Sequence, residues 1–98
     1  MNVRYSKRAL AQLEDIHRYL VQCNPRAAAE VVERIQVLCD RLGDFPGMGR
    51  VTDQAGVRVL PVVRYPYLVF YTVMEEKGEV RILRIRHGRR RPVPVGRT

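Results

Sequence analysis

The chain has 98 residues, 46% of them hydrophobic and 29% charged, with eighteen Lys and Arg against ten Asp and Glu for a formal net charge of +8. That length holds one compact domain rather than two. No apolar run approaches the roughly 20 residues of a membrane-spanning helix, and the opening Met1-Asn2-Val3-Arg4-Tyr5 lacks the apolar stretch of a secretory signal, so the expected compartment is the cytoplasm and no membrane partner is expected.

Val3-Arg4-Tyr5 reads as a short first strand, and Ser6 as a helix N-cap whose hydroxyl accepts from first-turn amides. Leu10, Leu13, Ile16 and Leu20 then recur at three- and four-residue steps, the period of one buried helix face, with His17 as boundary material beside them. Asn24-Pro25 ends this helix and starts the next: the residue before Pro is pushed out of helical torsions, Asn caps, and Pro at the first position has no amide to waste. Ala28, Val31, Val32, Ile35, Leu38, Cys39 and Leu42 form a second stripe, closed by Gly43 as a left-handed stop.

Asp44–Arg50 is a turn-rich connector, extended by a flexible Thr52–Gly56. Val57–Val63 reads as a strand in which Pro61 marks an edge or a bulge. Tyr67–Val73, apolar on both faces, reads as the central strand. Glu75-Glu76-Lys77-Gly78 is a hairpin turn with Gly at the positive-φ position, and Val80–His87 is the partner strand. Strict alternation puts Val80, Ile82, Arg84 and Arg86 on one of its faces, and Arg81, Leu83, Ile85 and His87 on the other. The order predicts a β-α-α-β-β-β domain of the α+β class, a helical hairpin on a small, mainly antiparallel sheet. It spans residues 1–91, with a flexible tail over 92–98.

No dinucleotide or phosphate loop motif is present, and Gly47-Met48-Gly49 reads as a turn because no strand-to-helix context follows it. His17 and His87 are far apart and without a ligand cluster, so no metal and no cofactor are expected. Cys23 and Cys39 stand without a CxxC pattern and read as inert thiols rather than a disulfide. Glu14 and Asp15 are neighbours on a helix and point apart, which excludes a paired-carboxylate site.

The charge is unevenly spread. Between Ser6 and Leu42 six basic residues face five acidic ones, whereas from Gly43 onward eleven face five, and Arg81–Arg97 holds seven Arg and no acid. The candidate target-binding residues are therefore Arg81, Arg84, Arg86, His87, Arg89, Arg90, Arg64 and Arg58. Two readings of this surface stand: guanidinium groups that grip phosphate or carboxylate, or arginines that solvate a strand edge and deter aggregation. The contrast with the balanced helices favours the first.

Five segments in this order and spacing resemble the ParE branch of the RelE/ParE toxins: Tyr5-Ser6, Asn24-Pro25 with Ala27-Ala28, Pro46–Arg50, Tyr65–Tyr71, and Ile82–Arg90. The resemblance covers roughly Met1 to Arg91. It implies the β-α-α-β-β-β toxin fold, a growth-arresting toxin of a type II system, often one that stabilises a plasmid, and a cognate ParD-like antitoxin in a hetero-oligomeric complex. It leaves DNA gyrase or ribosome-bound mRNA as the target. The RelE branch, which cuts mRNA, is expected to carry an Arg at the second position of the central strand and a Tyr or His near the C-terminus. Here Leu68 holds that position and no Tyr follows Tyr71. His87 as acid or base, with Arg81 as the cation, is what remains for a ribonuclease. The departure favours a gyrase inhibitor without catalysis over the endoribonuclease. An inactive relative that only binds its antitoxin or DNA is the third reading.

Overall fold

A computed structural model describes residues 1–88; the expected tail and the candidates Arg89 and Arg90 lie outside these residues. Strand β1 (Asn2–Tyr5) leads into helix α1 (Lys7–Cys23) and helix α2 (Pro25–Asp44). Four strands follow: β2 (Arg50–Val51), β3 (Arg58–Pro61), β4 (Tyr67–Met74) and β5 (Glu79–His87), the last two joined by a turn of 3₁₀ helix at Glu75–Lys77. They form one sheet in the order β1-β5-β4-β3-β2, in which only the β1–β5 pair is parallel. The expected α+β architecture is present.

The local signals explain the helices. Ser6 Oγ accepts from Ala9 N at 3.0 Å and Asn24 Oδ1 from Ala27 N at 3.3 Å, so each helix begins on the side chain the sequence offers for it. The apolar stripes Ala9–Leu13 and Val31–Ile35–Cys39–Leu42 bury against one face of the sheet, contributed by Val69, Tyr71, Val80, Ile82 and Ile85. Gly78 has φ 60°, as the hairpin turn requires.

Three details differ from the sequence expectation. Gly43 does not stop α2, which runs on to Asp44; a Cβ there would lie 2.6 Å from the Met1 carbonyl oxygen, so the glycine serves the close approach of helix and N-terminus. The Met1 ammonium donates to the Gly43 carbonyl at that crossing. The connector after α2 is not wholly irregular, because Arg50 and Val51 pair with Val59 and Arg58 as β2. Finally, β5 contains a bulge: Phe70 pairs with Arg84 but Tyr71 pairs with Ile82, leaving Leu83 as the extra residue. Pro61 is placed as expected of an edge. Val62 N donates to Tyr67 O across the β4 side, so the missing proline N–H faces outward, beyond the end of the two-residue β2.

The loop between α2 and β3 is tied down by one side chain. The fully buried Tyr71 hydroxyl accepts from Gly49 N at 2.8 Å and donates to Pro46 O at 2.7 Å. Gly49 lies against the ring, where a Cβ would come within 2.7 Å of it. Tyr71→Phe leaves both loop groups short of a partner, and the expected loss is about 1–3 kcal/mol in urea unfolding without a change of fold.

Beneath the sheet, Cys39 is fully buried and faces the Tyr5 hydroxyl, which has no well-formed hydrogen bond of its own. Burial pushes the Cys39 thiol up to about 11, with Asp40 adding to the rise and Tyr5 opposing it, and burial likewise raises Tyr5. A thiol that resists ionisation in the folded state is stabilising while the unfolded thiol stays protonated, and that contribution is lost as pH rises from about 9 to about 11. The urea midpoint should fall across that range, less so in Cys39→Ala. Thiol titration at pH 8 should find the exposed Cys23 reactive and Cys39 silent until the chain unfolds.

Candidate functional site

The bulge decides which face each residue of β5 occupies. Side chains directly opposite on paired strands share a face, so Thr72 with Arg81, Phe70 with Arg84 and Leu68 with Arg86 lie on the side of the sheet away from the helices. Val80, Ile82 and Ile85 lie on the helix side and are buried. Strict alternation would have put Arg84 and Arg86 beside Val80 and Ile82; the extra residue moves both arginines to the open face. The bulge is held from α1 and its cap: Ser6 N donates to Ile82 O at 2.9 Å, Ser6 Oγ to Leu83 O at 2.8 Å, and Ile85 N to Gln12 Oε1 at 2.7 Å.

On the open face the Arg84 guanidinium carbon sits 4.3 Å from the Phe70 ring centroid, and that of Arg86 5.3 Å. Phe70 is 9% exposed although it faces away from the helices, because the two arginine stems cover it. The Arg84 pKa is lowered, first by burial and then by Arg86 and Arg8, so three guanidinium groups crowd this spot. At the other end of the face the arginines are ion-paired. Glu79, 7% exposed, accepts from Arg81 Nη2 at 2.7 Å and Nε at 2.9 Å, and lies 3.5 Å from Arg4 Nε.

The remaining candidates serve other places. Arg58 faces the helix side opposite Tyr71 and donates to the Gly49 carbonyl at 2.7 Å, which makes it a fastener of the loop. Arg64 is exposed in the β3–β4 turn with φ 78°, beside a shallow cleft with Pro61, Tyr65, Pro66 and Leu68. His87 lies on the helix side, edge-on to Tyr67 with ring centroids 5.4 Å apart, at a cleft of about 260 Å³ shared with Asp15, Ile16 and Tyr19. Arg81 and His87, the pair a ribonuclease would need, therefore stand on opposite faces and six residues apart along the strand, a span on the order of 20 Å. Phe70 and Arg8 are the residues that sequence reasoning missed. Phe70 reads as core in an all-apolar strand, and Arg8 as one charge of a balanced helix.

The sequence from residue 3 to 92 matches the family described as the ParE toxin of the type II toxin–antitoxin system parDE. The chain belongs to the ParE toxin family. It is 40% identical over 88 residues to toxin RelE2 of Caulobacter vibrioides, covering 90% of this chain and 96% of that protein. It is 34% identical over 85 residues to the putative toxin Y4kP of Sinorhizobium fredii, covering 87% and 85% of the two. Among solved structures, the chromosomal ParDE system of Pseudomonas aeruginosa contains a chain that superposes with a TM-score of 0.79 at 29% identity, covering 89% of this chain and 95% of that one. The isolated Escherichia coli RelE toxin superposes at 0.71 with 14% identity over 92% and 86% of the chains, a likeness of fold alone.

This ParE-family toxin thus carries a sheet face with an ion-paired end and, beyond the bulge, an end without ion pairs among the described residues. Phe70→Leu keeps the apolar volume and removes the ring under both guanidiniums. At about 0.5–1 kcal/mol for each exposed contact, the expected cost is about 1–2 kcal/mol in urea unfolding.

Proposed function

We propose that this toxin arrests growth by inhibiting DNA gyrase through binding, without catalysis of its own, and that a cognate ParD-like antitoxin neutralises it in the cytoplasm. The observation that carries this reading is the separation of Arg81 from His87. Cleavage beside a 2′-hydroxyl needs a base, an acid and a cation converging on one phosphate. Here the cation is held by Glu79 and the imidazole lies on the other face. Leu68, at the position where the RelE branch is expected to carry Arg, presents an aliphatic chain opposite Arg86. The likeness to a chain of the P. aeruginosa ParDE system, at 29% identity, points the same way.

The helical hairpin offers a surface for the antitoxin. Leu10, Leu13, Val21 and Val32 line a cleft of about 670 Å³ with Glu14, His17 and Gln36 on its sides, and Leu10 and Val21 are exposed. An amphipathic helix laid into that groove is one mode of recognition, and a strand added beyond Leu60–Pro61 is a second. The toxin's +8 charge speeds the approach of an acidic antitoxin at low salt.

The alternative is a ribosome-dependent endoribonuclease built on His87 beside Tyr67, and the name of the Caulobacter relative, toxin RelE2, favours it. The two readings separate in one experiment. Toxin freed of antitoxin is added to gyrase with relaxed plasmid and ATP, and in parallel to ribosomes translating an mRNA. Lost supercoiling or accumulated cleaved plasmid with intact mRNA is the expected result. Cleaved mRNA with unaffected gyrase, abolished by His87→Ala, would sink the gyrase reading. Inhibition of neither reaction, with no growth arrest on expression, would mark an inactive relative.

A further inference from the structure

Arg84 and Arg86 are fixed by Phe70, with Arg8 alongside, and none of the three enters an ion pair among the described residues; the ion pairs there join Arg4 and Arg81 to Glu79 and Arg18 to Asp15. We infer that this end of the open face is a nucleic-acid backbone site, in which Arg84 and Arg86 grip successive phosphates of one strand. The inference goes beyond the gyrase reading and does not depend on it.

Four features carry it. The first is geometry. Arg84 and Arg86 lie two residues apart in extended chain past the bulge, about 6.6 Å along the strand, the scale on which phosphates repeat along a nucleic-acid strand. The second is preorganisation. Each guanidinium rests over the same ring, so its face is spent on Phe70 and its N–H edge is left to a pair of phosphate oxygens. The third is the unmet charge. Crowding of three cations and partial burial disfavour charge on Arg84, and an anion seated among them relieves that. The fourth is what the site lacks. Phe70 is covered, so no aromatic face is open for a base to stack upon, and contacts of this kind read the backbone rather than the sequence. A peptide could offer carboxylates at the same spacing only from acids at alternate positions of an extended segment, whereas phosphates repeat by construction.

The test uses the full chain without gyrase, ribosome or antitoxin, so its outcome is separate from that of the target assay. Fluorescence anisotropy would measure binding of a short labelled DNA duplex, the matching single strand, an RNA of the same sequence and a glutamate-rich peptide across a salt series. Binding to the nucleic acids with little sequence preference is expected. The double variant Arg84→Gln/Arg86→Gln, which keeps the stems over Phe70, should weaken binding about tenfold and lower the salt slope by about two, one per lost phosphate contact. Arg26→Gln/Arg34→Gln, which removes the same charge from exposed positions on α2, should change affinity less than about twofold. Equal loss in both double variants would overturn the site in favour of net charge alone. Binding of the acidic peptide with none of the nucleic acids would overturn it in favour of a protein partner. Binding of RNA only would overturn the backbone reading, because it would require the 2′-hydroxyl or the bases. Thermal unfolding of each variant confirms that folded proteins are being compared.

Discussion

The extra residue at Leu83 sets the chemistry of both faces of the sheet. Without it, the alternation that buries Val80 and Ile82 would carry Arg84 and Arg86 under α1, where uncompensated guanidinium groups are costly to desolvate. With it, Ile85 enters the core and the arginines turn outward to Phe70. A bulge leaves backbone groups without strand partners, and α1 supplies them through Ser6 and Gln12. Ser6 therefore has two roles: its hydroxyl opens α1 by accepting from Ala9 N and anchors the bulge by donating to Leu83 O. Helix docking and charge placement are one event, so a disturbance at Ser6 would reach the arginines through β5.

The helices and the core were legible because their determinants are local. Capping side chains at Ser6 and Asn24, a proline at the first position of α2 and two apolar stripes need nothing from the rest of the chain. The bulge had a signal that a strict two-residue period hides. The buried positions Val80, Ile82 and Ile85 step by two and then by three, and neither face of a regular strand collects all three. Gly43 and β2 had no local signal of the right kind. The glycine answers to the Met1 carbonyl 42 residues away, and β2 exists because β3 is beside it. Tertiary contact overrode the turn propensity in both places.

For the site, composition located the basic half of the chain but not which charges are already spent. Arg81 and Arg4 are taken up by Glu79, Arg58 by a loop carbonyl, and Arg64 stands apart in a turn. Of the candidate arginines within the described residues, those left are Arg84 and Arg86 around Phe70. A sequence counts cations, whereas a partner meets only those whose donors are still directed at solvent. Glu79 shows the difference: as one acid in a basic segment it barely alters the net charge, yet its position divides the face into an ion-paired end and an end without ion pairs among the described residues.

The same partition bears on how one backbone serves different toxins. A chain 14% identical to E. coli RelE superposes on it with a TM-score of 0.71, so the fold is kept while nearly all side chains change. A fold of this kind fixes where β4 and β5 present their outward residues and leaves the chemistry to the residues presented. In this chain, at the end away from Glu79, those residues are Leu68, Phe70, Arg84 and Arg86. Guanidiniums held against a ring are oriented before any ligand arrives, which favours recognition of an anion already formed. Stabilising charge that develops only during a reaction needs, in addition, a proton donor and acceptor within hydrogen-bond reach of the same phosphate. His87 stands on the far side of the sheet from these arginines. On the proposed reading the face holds a partner, and its selectivity rests on which anions reach the ring-bound pair.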